Sequence, residues 1–149
     1  MSNLIFRLAT IDDWELLLNW RNDPETRRNS FFTKRIMAAD HKKWLGDSIQ
    51  NPNRKVYIVL DSDIPIGTVR VDIKAGNKEI SWTTGSGSRG KGYGKEMVHQ
   101  LVESLSGNIL AKIKRSNLAS IKIAEYSGFK FYNQDHEVSS YIKEDNNEN

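Results

Sequence analysis

The sequence contains no cysteine and only three prolines in 149 residues. Without cysteine there is no disulfide framework, no thiolate metal ligand and no acyl-cysteine intermediate, so group transfer must use other side chains or direct attack. Long apolar runs are missing too. The longest, residues 56–60, is far short of the roughly 18 that span a bilayer, and residues 1–10 lack the layout of a signal peptide. A soluble, cytoplasmic protein with no membrane partner is expected. Nor does one charge dominate: Lys and Arg number 22 against 19 Asp and Glu, a net +3. Three of those acids fall in the last six residues, which leaves 22 against 16, or +6, over residues 1–143. That surplus fits a small anion as well as nucleic acid, so position has to decide. No cluster of His, Asp and Glu has metal-ligand spacing, and no metal is expected.

What is present is globular: 38% hydrophobic and 28% charged residues. Length matches a prior of about one domain per 150 residues. The expectation is one domain, residues 1–143, and a disordered acidic tail, residues 144–149.

Strand and helix signals alternate along the chain. Residues 4–8 read as a strand, and Thr10 caps a helix with Trp14, Leu17, Leu18 and Arg21 on one face, stopped by Asp23-Pro24. Residues 23–39 form a long connection, of the kind that is often functional. Asp40 caps a second helix carrying Trp44, Leu45 and Ile49. Strands follow at 56–60, 66–73 and 78–84, joined by turns at 61–63 and Gly76-Asn77. The last runs into a glycine cluster, residues 85–94, and a helical period then places Met97, Val98, Leu101, Val102 and Leu105 together. Beyond it lie a strand at 109–113, a helix capped by Asn117 and stopped at Gly128-Phe129, and two short strands at 129–132 and 138–142. The class is mixed α/β.

The glycine cluster holds five glycines with Arg89, Lys91 and Lys95 and no acid, after a strand and before a helix. A flexible loop is one reading; the other is an anion cradle, because backbone N–H groups and a helix N-terminus suit phosphate. Gly85, Gly87 and Gly90 match a dinucleotide fingerprint, but no acid ends the next strand. Gly85, Gly90 and Lys91 approach a nucleotide-triphosphate loop, but Gly92 stands where a hydroxyl would hold magnesium.

With Arg89-x-x-Gly92-x-Gly94, and with Asn117, Ser120 and Gly128-Phe129 downstream, nearly the whole chain resembles the GNAT superfamily of N-acetyltransferases. The resemblance implies a mostly antiparallel central sheet of about seven strands flanked by about four helices. It also implies acetyl-CoA as co-substrate, its pyrophosphate on the amides of Arg89, Gly90, Lys91, Gly92, Tyr93, Gly94 and Lys95, and its pantetheine arm beside Asn117 and Ser120. Lys112, Lys114, Arg115 and Lys122 offer further cations. A backbone N–H at a bulge in the fourth strand, within Trp82, Thr83 and Thr84, would hold the thioester oxygen during direct attack by an amine. Valine at Gly92 or Gly94 would then weaken cofactor binding while the fold survives.

For the base, Glu79 comes first, with Asp72 and His41 after it. The bland alternatives are a cross-strand lysine partner for Glu79 and a solvent-facing place for His41. His41-Lys42-Lys43-Trp44 resembles a segment of some sugar N-acetyltransferases. The family's usual tyrosine position is Ala124 here, and Tyr126 lies about 200° further round the helix, which leaves Ser120 or water to protonate the thiolate. His99 and His136 read as structural or exposed. Trp20-Arg21-Asn22-Asp23-Pro24 with Thr26-Arg27 resembles members that acetylate nucleotide-linked amino sugars, including those of pseudaminic acid synthesis, and in part ribosomal-protein N-acetyltransferases. The implied acceptor site is Trp20, Arg21, Asn22, Arg27, Arg28 and Phe31, whose cations with Lys34 and Arg35 suit a diphosphate; core packing and helix-end charge are the plainer explanation. A small-molecule amine acceptor, no nucleic acid, and a monomer or homodimer are expected. A non-catalytic acyl-CoA-binding module is the reading outside enzymes.

Overall fold

The computed structural model describes residues 3–145. Strand β1 (Leu4–Leu8) leads to Thr10, whose hydroxyl accepts from the Asp12 amide while its own amide donates to Asp13. This reciprocal cap starts a short 3-10 turn that runs into helix α1 (Trp14–Asn22). Arg7 forks onto the Asp13 carboxylate at 2.8 and 2.9 Å and, ahead of the opposing desolvation, holds it below its ordinary range.

Asp23 ends α1 and accepts from the Thr26 amide, and Pro24 supplies the first turn of helix α2 (Pro24–Arg28). The connection expected at residues 23–39 therefore contains a helix. Helix α3 (Ala38–Gln50) begins before Asp40, which sits in its first turn; Met37 holds the cap position without a side-chain bond. Burial of His41, Leu45 and Ser48 sets this helix, where capping chemistry alone pointed three residues later.

The remaining elements are β2 (Arg54–Asp61), β3 (Ile64–Lys74), β4 (Asn77–Thr84), α4 (Tyr93–Glu103), β5 (Ile109–Lys114), α5 (Leu118–Tyr126), β6 (Lys130–Asp135) and β7 (Val138–Lys143). Left-handed Ser62 and Asp63 form the β2–β3 turn. Ala75 and Gly76 form the next one, since Asn77 already pairs with Lys74. Five α-helices thus flank the sheet among the described residues, α2 being the addition. Of the expected tail, Glu144 and Asp145 are described, and the Asp145 amide donates to Asn108; residues 146–149 lie outside the described residues.

One sheet of seven strands runs β1-β2-β3-β4-β5-β7-β6, and every neighbouring pair is antiparallel except β4 and β5. Val59, Val69, Val71 and Ile80 pack with Met97, Val98 and Leu101 under α4 and α5. On the opposite face Val56 and Ile58 pack with Leu17, Trp20 and Leu45 under α1 and α3. Each fully buried aliphatic side chain contributes about 1.5–3 kcal/mol. These two layers fix β4 as the middle strand, with helices from both halves of the chain on either side.

Candidate active site

The parallel β4–β5 pairing covers only Lys78 with Ile109 and Glu79 with Leu110. Beyond that point the strands part, and a cavity of about 400 Å³ opens between them, lined by Glu79, Trp82, Thr83, Lys112, Asn117 and Ser120 among others. The bulge expected in β4 is absent, because β4 pairs with β3 without a register shift from Asn77 to Thr84. The parting of the strands opens that edge of β4 instead. The Lys78 amide donates to Asn108 on the β5 side, and the Gly85 amide to Ile66 on β3. Strand alternation then turns the amides of Trp82 and Thr84 toward the opening, past the last β5 partner.

Gly90 and Gly92 have φ of +77° and +82°, and a Cβ added at either would meet nothing within 4 Å. Open space at two left-handed glycines is what a phosphate cradle requires. Gly92 is the N-cap of α4 and brings no side chain, so the amides of Tyr93, Gly94 and Lys95 have no intrahelical acceptor. Gly94 differs: a Cβ there would lie 2.7 Å from Ile123 Cδ1 and 3.3 Å from Thr84 Oγ1. Its smallness serves the packing of α4 on α5 and β4, so the expectation that valine would spare the fold needs correction at this position.

Arg89 does not project as a free cation. It bonds Asp23 and Thr26 Oγ1 (3.0 Å) and pairs with Glu25 (3.2 Å), and this contact, against desolvation, lowers the Asp23 pKa. Sequence reasoning missed this link because the partners lie over 60 residues apart. Lys114 is tied similarly, donating to the carbonyls of Arg28 (2.9 Å) and Ser30 (3.3 Å). Lys91 is exposed, and Lys95 lies 5.1 Å over the Tyr126 ring. Tyr126, also against His99, lines none of the three cavities that share Trp82 and Thr83. Asn117 caps α5 by accepting from the Ser120 amide at 3.2 Å, and Ala124 is fully buried. A groove of about 520 Å³ joins these parts, lined by Thr26, Trp82, Gly92, Lys95, Asn117 and Lys122 among others. Its glycine cradle and length fit the pyrophosphate and pantetheine arm of coenzyme A.

On the α1–α3 face a cavity of about 420 Å³ is walled by Trp20, Phe32, Trp44 and Trp82, with Arg21, Asp40, His41 and Arg70. All three cavities share Trp82 and Thr83. His41 is 5% exposed, stacks on Trp44 at 5.6 Å, and leaves Nε2 without a partner. Desolvation first, then the Arg21 charge, holds its pKa below 6.5. The solvent-facing reading of His41 is therefore wrong; it stands four residues before the buried Leu45 and shares the inward face of α3.

Other expected residues hold the loop that roofs this cavity. Arg21 donates to the Phe32 carbonyl (2.7 Å) and Arg27 to that of Thr33 (3.2 Å), while Asn22 exchanges two bonds with Ile36. Asn22, Arg27 and Arg28 line none of the three cavities; Phe31 lines the β4–β5 opening. Glu79 lines that opening too and lies 3.5 Å from Lys74, so the site and cross-strand readings coincide. Asp72 is buried and bound by Arg54 (2.6 Å) and Arg70 (3.2 Å), which orients Arg70 beside Trp44 and removes Asp72 as a base. The sequence signal for Arg70 was a charge inside an alternating apolar strand. Asp72→Asn is expected to lose about 2 kcal/mol of stability, below the figure for a fully buried pair because both arginines are part exposed. Thermal unfolding checks it; an unchanged midpoint would contradict the packing role.

The chain matches the family described as acetyltransferase (GNAT) domain over residues 3–130. It is 31% identical over 141 residues to the uncharacterized N-acetyltransferase p20 of Bacillus licheniformis, covering 86% of this chain and 79% of that protein. Among solved structures, the aminoglycoside acetyltransferase AAC(6')-Ib in complex with paromomycin and acetyl-CoA superposes with a TM-score of 0.84 at 21% identity, covering 96% and 94% of the two chains. Spermidine N-acetyltransferase from Vibrio cholerae, in complex with CoA and spermine, gives 0.84 at 15% identity, covering 95% of each. Among the described residues no helix is long and apolar enough to cross a membrane, and no group of three or more His, Asp and Glu could hold a metal. The family model and the curated relative settle the family, and the left-handed glycine turn before α4 lies beside the point where β4 and β5 part: the chain is a GNAT acetyl-CoA-dependent N-acetyltransferase.

Proposed function

We propose that the enzyme acetylates the primary amine of a nucleotide-linked amino sugar, by direct attack within a complex that holds donor and acceptor together. The observation that carries this reading is an aromatic-walled cavity meeting the coenzyme groove at Trp82 and Thr83. Aromatic walls suit the apolar face of a sugar ring. Charge argues for an anionic acceptor: Arg21, Arg70, Lys112 and Lys114 line the two acceptor-side cavities against Asp40 and Glu79. Spermine and paromomycin are polycations, which such a lining disfavours.

Acetyl-CoA, when bound, supplies an activated acyl carbon and a thiolate leaving group. The amides of Trp82 and Thr84 stabilise negative charge developing on the carbonyl oxygen, without reorganising as it appears. Neutral His41 takes the proton of the incoming ammonium through Nε2, which geometry favours over Glu79 with its lysine partner. Ser120, which lines both the groove and the β4–β5 opening, or a water beside it, returns a proton to sulfur.

Thiol release with UDP-linked amino sugars, compared with N-terminal peptides of ribosomal proteins, tests the reading. Sugars turning over and peptides not is the expected result; the reverse would move the chain to the ribosomal-protein type. Arg28 is a control: its side chain is 69% exposed. Arg28→Glu is expected to raise the acceptor KM less than about fivefold, as befits a screened surface charge, and to leave acetyl-CoA affinity unchanged.

A further inference from the structure

Three residues that line one cavity each carry a buried polar atom without a hydrogen-bond partner: Arg21 Nη1, His41 Nε2 and Trp82 Nε1. Buried polar atoms are nearly always paired, so three orphans in one place call for a ligand. Two of them, on arginine and indole, are obligate donors. The Arg21 Nη2 bond to the Phe32 carbonyl fixes the guanidinium and leaves Nη1 without a partner. No carboxylate among the described residues pairs with Arg21, whereas its neighbour Arg70 has Asp72. Desolvation and the nearby Arg27 charge both disfavour the Arg21 cation, and no acid among the described residues offsets them.

We infer that the acceptor carries an oxyanion, a carboxylate or phosphate oxygen, bound by Arg21 Nη1 and Trp82 Nε1 within a sugar ring's reach of the amine facing His41. This rests on acetyl transfer to a small amine in this cavity and adds which group the cavity reads.

The experiment measures thiol release by the full chain with glucosamine, glucosamine 1-phosphate, an amino-uronic acid, a UDP-linked amino sugar and spermidine. At least a tenfold higher kcat/KM is expected for the anionic amines than for glucosamine or spermidine, and the phosphate and carboxylate arms identify which oxyanion is read. Arg21→Gln should erase most of that ratio. Because Arg21 also holds the loop, Trp82→Phe, which removes the N–H together with the five-membered ring but keeps an aromatic ring, provides an independent reading and should cut the ratio severalfold. Equal turnover of neutral and anionic amines, or a ratio preserved in both variants, overturns the oxyanion site alone. Absence of thiol release with every amine overturns the acceptor reading beneath it as well.

Discussion

Gly92→Val is expected to bind acetyl-CoA about a thousandfold more weakly, close to 4 kcal/mol, with little change in melting temperature. Gly92 sits at φ +82°, where a β-branched residue is strained, and nothing within 4 Å would meet its Cβ. The exposed loop relieves that strain by turning its amides away from the phosphates. Each charge-assisted bond lost costs about 1.5–3 kcal/mol, and two account for the effect. Gly94→Val should behave differently. Its Cβ meets Ile123 Cδ1 at 2.7 Å, so overpacking removes about 1–3 kcal/mol of stability in addition to binding. Calorimetry with acetyl-CoA and thermal unfolding separate the two. Normal binding by folded Gly92→Val would mean that the cradle lies elsewhere.

The second large effect concerns His41. His41→Gln is expected to reduce kcat/KM by about 10²–10³-fold, the usual worth of a positioned proton acceptor. The pH profile gives a sharper reading. Burial, and then the Arg21 charge, hold the imidazole below its ordinary value of 6.5 and favour the neutral ring. The wild-type rate should therefore show no His41 inflection above 6.5 and fall on the acid side of it, and the variant should lack that limb. Stability follows the same sign: with a folded pKa below the unfolded one, the neutral ring contributes fully above 6.5. That contribution is lost as pH falls through the folded value. An acid limb that survives in His41→Gln would transfer the role to Glu79.

Strands, hairpins and the glycine-led start of α4 were legible because they rest on local rules: period-2 alternation, left-handed turn residues and a helical period after glycine. Asn117 and Gly128-Phe129 were legible for the same reason. Asn117 accepts from the Ser120 amide, and the Phe129 amide returns to the Ala124 carbonyl. What escaped depends on contacts between distant segments. Arg89 reads as a phosphate ligand until α2 supplies Asp23 and Glu25, and Asn22 reads as a binding residue until Ile36 occupies both its groups. The freed amides of β4 carry no side-chain signature, since every residue but proline has one. His41 was read from its place in the helix's first turn, although it stands four residues before the buried Leu45 and so shares the inward face of α3.

The central claim is that the coenzyme groove and the aromatic cavity meet at Trp82 and Thr83, and a bisubstrate analogue tests it most directly. The compound joins coenzyme A through an acetyl bridge to the amine of a UDP-linked amino sugar. Because both halves find their sites at once, it should bind at least about 10²-fold more tightly than acetyl-CoA. Gly92→Val and Arg21→Gln should each remove part of that gain. An analogue that binds no better than acetyl-CoA alone would contradict the account.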